Sequence, residues 1–293
     1  MFRKNTVRFI IMTALLVFSL LRTQGQDYIE IGQLGYRYSF PTSASDGDTA
    51  RSVYGARFNI LLPVKISEKT YFLPGFRFWQ YRVDPGENFK WYLFQAGIQT
   101  QISEKWNLQV LPLLRTGIYQ DAKFGDGFQV GVLLSANKQI NEDLMLGYGI
   151  YTNHELFGQL LQPFLAIDWQ ISDRWRLFGS FPMYNTLSYS INERWNTGLN
   201  YIGLVTSFMG DGVYTERSSL DFDWFIEYYI TPQIVAQARF GYPVDRTFEE
   251  YAEGDKVDFT LSLLRFGNDR ELLREFDKSQ FLASFNLFFR VKK

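Results

Sequence analysis

The chain has 293 residues, 46% hydrophobic and 18% aromatic, with 30 Lys+Arg against 31 Asp+Glu and no cysteine. The balanced charge argues against a nucleic-acid binder, which shows a basic excess or patch. The lack of Cys excludes disulfides, thiolate metal sites, a thiol nucleophile and a lipid-modified N-terminal Cys.

The chain opens with a basic stretch, MFRKNTVR, followed by the apolar run FIIMTALLVFSLL and then RTQG. This is the layout of an export signal, with Thr23 and Gly25 as the small residues before a cut at Gly25/Gln26. The run is too short for the roughly 20 residues of a spanning helix. We therefore expect residues 1–25 to be removed and residues 26–293 to form one domain. Four basic residues and no acid leave with the signal, so the mature net charge is −5. No later segment has a long uninterrupted apolar run, so no membrane helix is expected.

From residue 28 onward the dominant signal is alternation. In WYLFQAGIQTQI, Tyr92, Phe94, Ala96, Ile98 and Ile102 alternate with Gln95, Gly97, Gln99 and Gln101. A period of two places one set on each face of a strand. The same pattern recurs in Tyr54–Leu62, Trp106–Ile118, Phe128–Asn137, Leu165–Ile171, Leu220–Tyr228 and Phe281–Val291. Strands are expected at 28–40, 51–66, 70–81, 90–102, 105–119, 127–140, 143–152, 160–171, 174–182, 185–191, 195–208, 219–230, 233–243 and 280–291. Most run 10–13 residues, long for globular strands and right for tilted membrane-spanning ones.

The strands are punctuated by one recurring turn: ISEKT at 66, ISEKW at 102, INEDL at 140, ISDRW at 171, INERW at 191 and ITPQI at 230. The first four are spaced by 36, 38 and 31 residues, room for two strands and one loop. The intervening loops, 41–50, 82–89, 121–127, 211–219 and 245–256, are longer and more polar. Short turns on one rim and long loops on the other are the asymmetry of a transmembrane antiparallel up-and-down β-barrel, with the apolar face on lipid and the polar face on the lumen. About 14 strands are expected, with 12 or 16 as alternatives. The uncertain stretches are the cramped hairpin around FPMYN and residues 244–279, where KVDFTLSLLRF and a charged, potentially helical DRELLREFDK are assigned to an exterior loop or a folded-over hairpin. Trp106, Trp175 and Trp195 follow a Lys or Arg at the turns and are expected to anchor at the headgroup level.

The export signal, the sustained alternation and the closing FNLFFRV resemble the outer-membrane β-barrel proteins of Gram-negative bacteria, although Lys292–Lys293 stand where an aromatic residue usually ends such chains. The stretch PFLAIDWQISDRWRLFGSFP, with the turn ending at Trp195, further resembles a barrel family known only as a domain of unknown function. The resemblance implies a place in the cell outer membrane, outer-membrane lipid as surroundings and the barrel-assembly machinery as partner during insertion. It implies no substrate.

The residues offer little catalytic chemistry. The single histidine, His154 in YTNHELFG, has no Ser at the spacing of membrane-embedded lipid hydrolases and is expected on an exterior loop. The acidic loop FEEYAEGDKVD departs from the EF-hand pattern and is expected to be a solvated charged loop rather than a Ca²⁺ site. No nucleotide signature, metal or cofactor site stands out. By parity, Arg37, Arg57, Arg77, Arg115, Arg176, Arg239 and Arg290 face inward with Asp168, Asp221, Asp223 and Glu227. They either pair within the lumen or form a constriction between a basic and an acidic arc. Trp79, Trp91, Phe164, Phe178 and Phe225 also point in and narrow the opening. The leading expectation is a narrow pore or passive transporter for small solutes, not an enzyme. The alternatives are a closed structural or binding barrel and a lipid hydrolase.

Overall fold

The computed structural model of the protein describes residues 28–41, 52–83, 86–276 and 281–292. The export signal and most of the loop at 41–50 lie outside the described residues. Fourteen strands form the wall: β1 (Tyr28–Ser39), β2 (Val53–Leu61), β3 (Thr70–Val83), β4 (Glu87–Gln101), β5 (Trp106–Tyr119), β6 (Phe128–Asn141), β7 (Leu144–Glu155), β8 (Gly158–Gln170), β9 (Trp175–Phe181), β10 (Tyr184–Ser190), β11 (Trp195–Met209), β12 (Val213–Tyr229), β13 (Ile234–Pro243) and β14 (Leu282–Lys292). Each pairs antiparallel with its predecessor, and β14 closes on β1 from Tyr28↔Lys292 to Ser39↔Leu282. The result is a closed ring of 14 antiparallel strands, with no helix among the described residues.

The repeated turn owes its sequence to one device. In ISEKW the Ile102 N–H donates to the Trp106 carbonyl at 2.9 Å, and the Trp106 N–H returns to Ser103 Oγ at 3.2 Å. ISDRW repeats this with Ser172, INERW with Asn192 Oδ1 at 3.0 Å and ITPQI with Thr231 Oγ1 at 3.0 Å. The second residue must be Ser, Thr or Asn because its side chain accepts the N–H that reverses the chain.

Outside the ring the surface is apolar. Leu34, Phe94, Val130, Leu165, Leu199, Trp224, Phe240 and Phe285 are all exposed. A belt this continuous is far larger than a soluble monomer exposes, and pairing of β14 with β1 leaves neither the first nor the last strand as a free edge. At the short-turn rim, Trp175 packs at a tilt beside Tyr189 (4.6 Å), Trp195 beside Tyr228 (4.7 Å), and Trp106 lies near Tyr148 and under Lys138.

Three sequence expectations need correction. The loop expected at 82–89 is mostly strand, because β3 and β4 pair up to Val83↔Glu87. The loop expected at 211–219 is mostly strand: β11 and β12 pair up to Met209↔Tyr214. The run DRELLREFDK is not helical where described; it is extended and includes a short strand, Arg274–Phe276. KVDFTLSLLRF does fold over as a hairpin, pairing Phe259–Leu261 with Leu264–Phe266.

The inner surface also departs from a uniformly polar lining. Toward the long-loop rim Val53, Val83, Phe89, Trp91, Leu93, Leu111, Leu113 and Tyr119 form a buried cluster inside the barrel with Phe208 and Phe248. The last two come from elements that leave the wall. Beyond Ile202, β11 has no partner on β10, turns inward and touches β5 across the lumen at Met209↔Ile118. Residues 206–210 and 214–217 are buried on both faces. A strap then lies across this inward hairpin: Thr247–Ala252 pairs with Val213–Ser218, and Arg274–Phe276 pairs with the strap.

Candidate functional site

The lumen is the candidate site, and its polar residues fall into separate groups. The first is a hub on Arg115 of β5. Its guanidinium donates to Tyr151 Oη (2.6 Å), Gln129 Oε1 (2.6 Å), Glu155 Oε2 (2.8 Å) and Thr206 Oγ1 (2.9 Å). Those partners come from β6, β7 and the inward end of β11. Ser207 Oγ also donates to Glu155 (2.8 Å), and Gln129 Nε2 donates to the Ser207 carbonyl (3.2 Å). One buried charge pair thus fastens the hairpin to the opposite wall. Gly117 allows the close approach: a Cβ there would overlap the Ser207 carbonyl oxygen.

The second group spans β12, β13, β14, β1 and β2. Arg37 pairs with Asp221 at 2.6 Å, and Arg239 lies 3.6 Å from Asp223. Arg290 holds Glu227 through two bonds, 2.7 and 3.0 Å, and stacks over Tyr28 at 4.1 Å. Gln237 Nε2 donates to Glu227 (2.7 Å), Asn286 Nδ2 to Gln237 (3.0 Å) and Arg57 Nε to Asn286 Oδ1 (3.1 Å). The acids of β12 are therefore partnered by arginines of β1, β13 and β14 rather than left facing a basic arc across the lumen. Arg176 makes a separate bidentate pair with Asp168, both bonds 2.7 Å.

Arg77 stands apart. It is on the inward register of β3 yet exposed, and no hydrogen bond or ion pair reaches it among the described residues. It faces Tyr184 of β10, which is also inward and exposed, across the lumen. Trp79 and Trp91 stack at 4.6 Å above it, and Phe164 and Phe225 are buried on the inner surface.

The segment that follows the strap carries its own ion pairs. Arg265 and Arg270 both reach Glu216 of the inward hairpin, the latter at 3.0 Å, and Arg274 reaches Glu87 at 2.7 Å. Burial and the hydrogen bond to Glu249 push the Tyr251 phenol up, so it stays a neutral donor beneath Arg270, 4.0 Å above the ring. The acidic segment expected to be solvated is thus partly knitted into the strap. His154 lies within β7, one residue before its end, rather than in a loop, and it is exposed on the outward register. No group of three or more His, Asp or Glu suited to a metal occurs among the described residues.

Parity found the inward arginines but missed Glu155, Glu216, Arg217 and Arg246, all buried. Glu155 stands beside His154, where the sequence points to a loop. The available signal was the loss of alternation in VTSFMG and VYTERSS, where neither face is consistently polar.

A closed ring of strands with an apolar exterior and a charged interior defines a transmembrane β-barrel. Residues 95–247, just over half of the chain, match the Domain of unknown function (DUF6268), and the chain belongs to that family. No curated protein matches it by sequence. Its fold is similar to that of an outer membrane channel from Pseudomonas putida F1 (11% identity, 92% of this chain and 97% of that one, TM-score 0.48). It is also similar to Pseudomonas putida OprB (8%, 91% and 94%, 0.44) and to the NanC porin (10%, 88% and 100%, 0.38).

Proposed function

We propose that the protein is a narrow, gated pore or passive transporter for small solutes in the cell outer membrane, and not an enzyme. The observation that carries this reading is the two-part lumen. Toward the short-turn rim the inward side chains are polar and partly water-accessible, as at Arg77, Gln99, Gln109, Asp168 and Arg176. Toward the long-loop rim one inward hairpin closes the passage, held mainly by the Arg115 hub. The short-turn rim faces the periplasm in this reading, with Trp106, Trp175 and Trp195 anchoring it in the headgroups. The charged set Arg57, Arg77, Arg115, Arg176, Asp168, Asp221, Asp223, Glu227 and Arg239 sets the field that a permeating solute meets. Outer-membrane lipid surrounds the mature chain, and the barrel-assembly machinery inserts it.

A second reading is a closed binding or structural barrel. The inward hairpin favours it, because the hairpin is packed on both faces. Recording from the refolded mature chain in a planar bilayer separates the two. Discrete conductance steps whose ion preference changes in Asp223→Lys support the pore. Silence from a barrel verified by heat-shifted gel mobility supports the closed reading.

A further inference from the structure

We propose that residues 259–266 are a movable section of barrel wall over a lateral portal, through which small lipid-soluble molecules pass between the bilayer and the lumen. Onward passage to the far side of the membrane rests on the pore reading above; entry from the bilayer does not.

The wall is incomplete at one place. β9 and β10 have seven residues each. At about 3.3 Å per residue and a tilt near 40° they rise roughly 18 Å, short of an apolar band about 25 Å tall. Their neighbours continue without them. β8 pairs with β9 only over 165–170, leaving 158–164 without a β9 partner, and β11 leaves the wall after Gly203 donates to the Met183 carbonyl at 2.7 Å. A gap remains above Phe181, between the upper part of β8 and the departing β11. Unpaired backbone does not face lipid, and the chain manages this edge locally. Pro163 lies in the unpaired stretch and has no N–H to offer. The Gln162 amide donates to the Pro163 carbonyl at 2.9 Å and to Ser262 Oγ at 2.8 Å.

The 259–266 hairpin covers the upper part of the gap. It joins β8 by only two parallel residue pairs, Thr260↔Leu160 and Leu261↔Leu161, plus the Ser262 N–H to the Leu161 carbonyl at 2.9 Å. Its two faces copy the wall. Thr260 and Arg265 share one face: Thr260 is buried and Arg265 reaches Glu216 inside. Phe259 and Phe266 stack at 6.2 Å on the other face, with Leu261 and Leu264. Leu263 is 83% and Leu264 62% exposed, beside a belt in which Leu165 is 65% and Phe181 59% exposed. Leu161 stands roughly 23 Å along the barrel axis from Gln170, at the outer margin of the apolar band. Lipid acyl chains are therefore the surroundings that fit the hairpin's outer face. Behind it lies a packed apolar cluster of Phe157, Leu160, Met209, Tyr214, Tyr251 and Val257. Few backbone bonds hold the hairpin, and displacing it would open that apolar cluster, and the lumen beyond it, to the bilayer.

The chain has no Cys, so a lock is easily built. The test pairs Leu161→Cys with Leu261→Cys in refolded barrels in liposomes, with a diazirine-bearing hydrocarbon dissolved in the lipid. Mass spectrometry maps the photolabel before and after the disulfide forms. The expected result is labelling of the inward residues Met209 and Tyr251 in the reduced protein, lost on oxidation and restored by reductant. Inward labelling that is absent from the reduced protein, or unchanged by the lock, overturns the portal. If the double variant fails to fold, Leu263→Cys carrying a fluorophore replaces it. Quenching by acyl-chain nitroxide lipids as strong as at Leu165→Cys supports the wall assignment, and no quenching overturns it. Conductance measured on the same preparation keeps the two readings apart: silence with inward labelling removes the pore and leaves the portal.

Discussion

Replacing Arg115 with Met should unfasten the inward hairpin and open the lumen. The guanidinium is the main cationic contact of Glu155, whose side chain is fully enclosed, and it donates directly to Thr206 of the hairpin. Removing one partner of a buried ion pair leaves an uncompensated charge and costs about 3–5 kcal/mol. That cost falls on the closed arrangement, since Glu155 becomes hydrated once the hairpin lifts. At about 1.4 kcal/mol per tenfold, the closed-to-open ratio falls by roughly two to three and a half powers of ten. The wall pairing is untouched, so the barrel itself should still fold. The assay combines single-channel recording with polar maleimide labelling of Phe208→Cys, which is buried while the hairpin is docked. Arg115→Met should raise both open time and labelling rate. The double variant Arg115→Met with Glu155→Leu removes the stranded charge and should recover much of the closed behaviour. If Arg115→Met records and labels like the parent chain, the hub does not hold the hairpin and the reasoning is wrong.

Other perturbations probe separate parts of the account. Gly117→Val should mimic Arg115→Met, because its side chain occupies the space of the Ser207 carbonyl; unchanged Phe208→Cys labelling would contradict the crossing contact. Leu134→Arg, outward and exposed, should impair folding into liposomes by about 2–4 kcal/mol if it lies near the midplane, while Gln109→Arg on the inward register should be tolerated; equal effects in a urea titration would refute the facing. Asn192→Ala removes the acceptor that closes one short turn and should cost about 1 kcal/mol in the same titration, with Asn192→Ser recovering most of it.

The wall was legible because its information is local. Alternation needs only neighbouring residues, and the Ser/Thr/Asn of each short turn bonds within four residues of itself. Hence β5, β6 and β11 begin at Trp106, Phe128 and Trp195, within a residue of where the sequence places them. The lumen was legible as a list of inward arginines, acids and aromatics without their pairing. Which acid each one meets is set by strand neighbours far apart in sequence, as Arg290 and Glu227 are. The inward hairpin was hidden for a further reason. Thr206–Met209 and Tyr214–Arg217 are buried on both faces, so their composition resembles a loop's. Its docking depends on the short β9–β10 pair withdrawing support from β11, and no single segment encodes that. For residues 259–266 the sequence leaves an exterior loop and a folded-over hairpin open, and the place of that hairpin beside the wall follows only from where β8 loses its partner.

The most direct test of the whole account is conductance of the folded mature chain in a planar bilayer, recorded beside Arg115→Met. The account predicts rare, small steps from the parent chain and frequent, larger ones from the variant. Silence from both, with folding confirmed by heat-shifted mobility and Phe208→Cys labelled in the variant, would mean that the lumen is no passage even with its hairpin lifted.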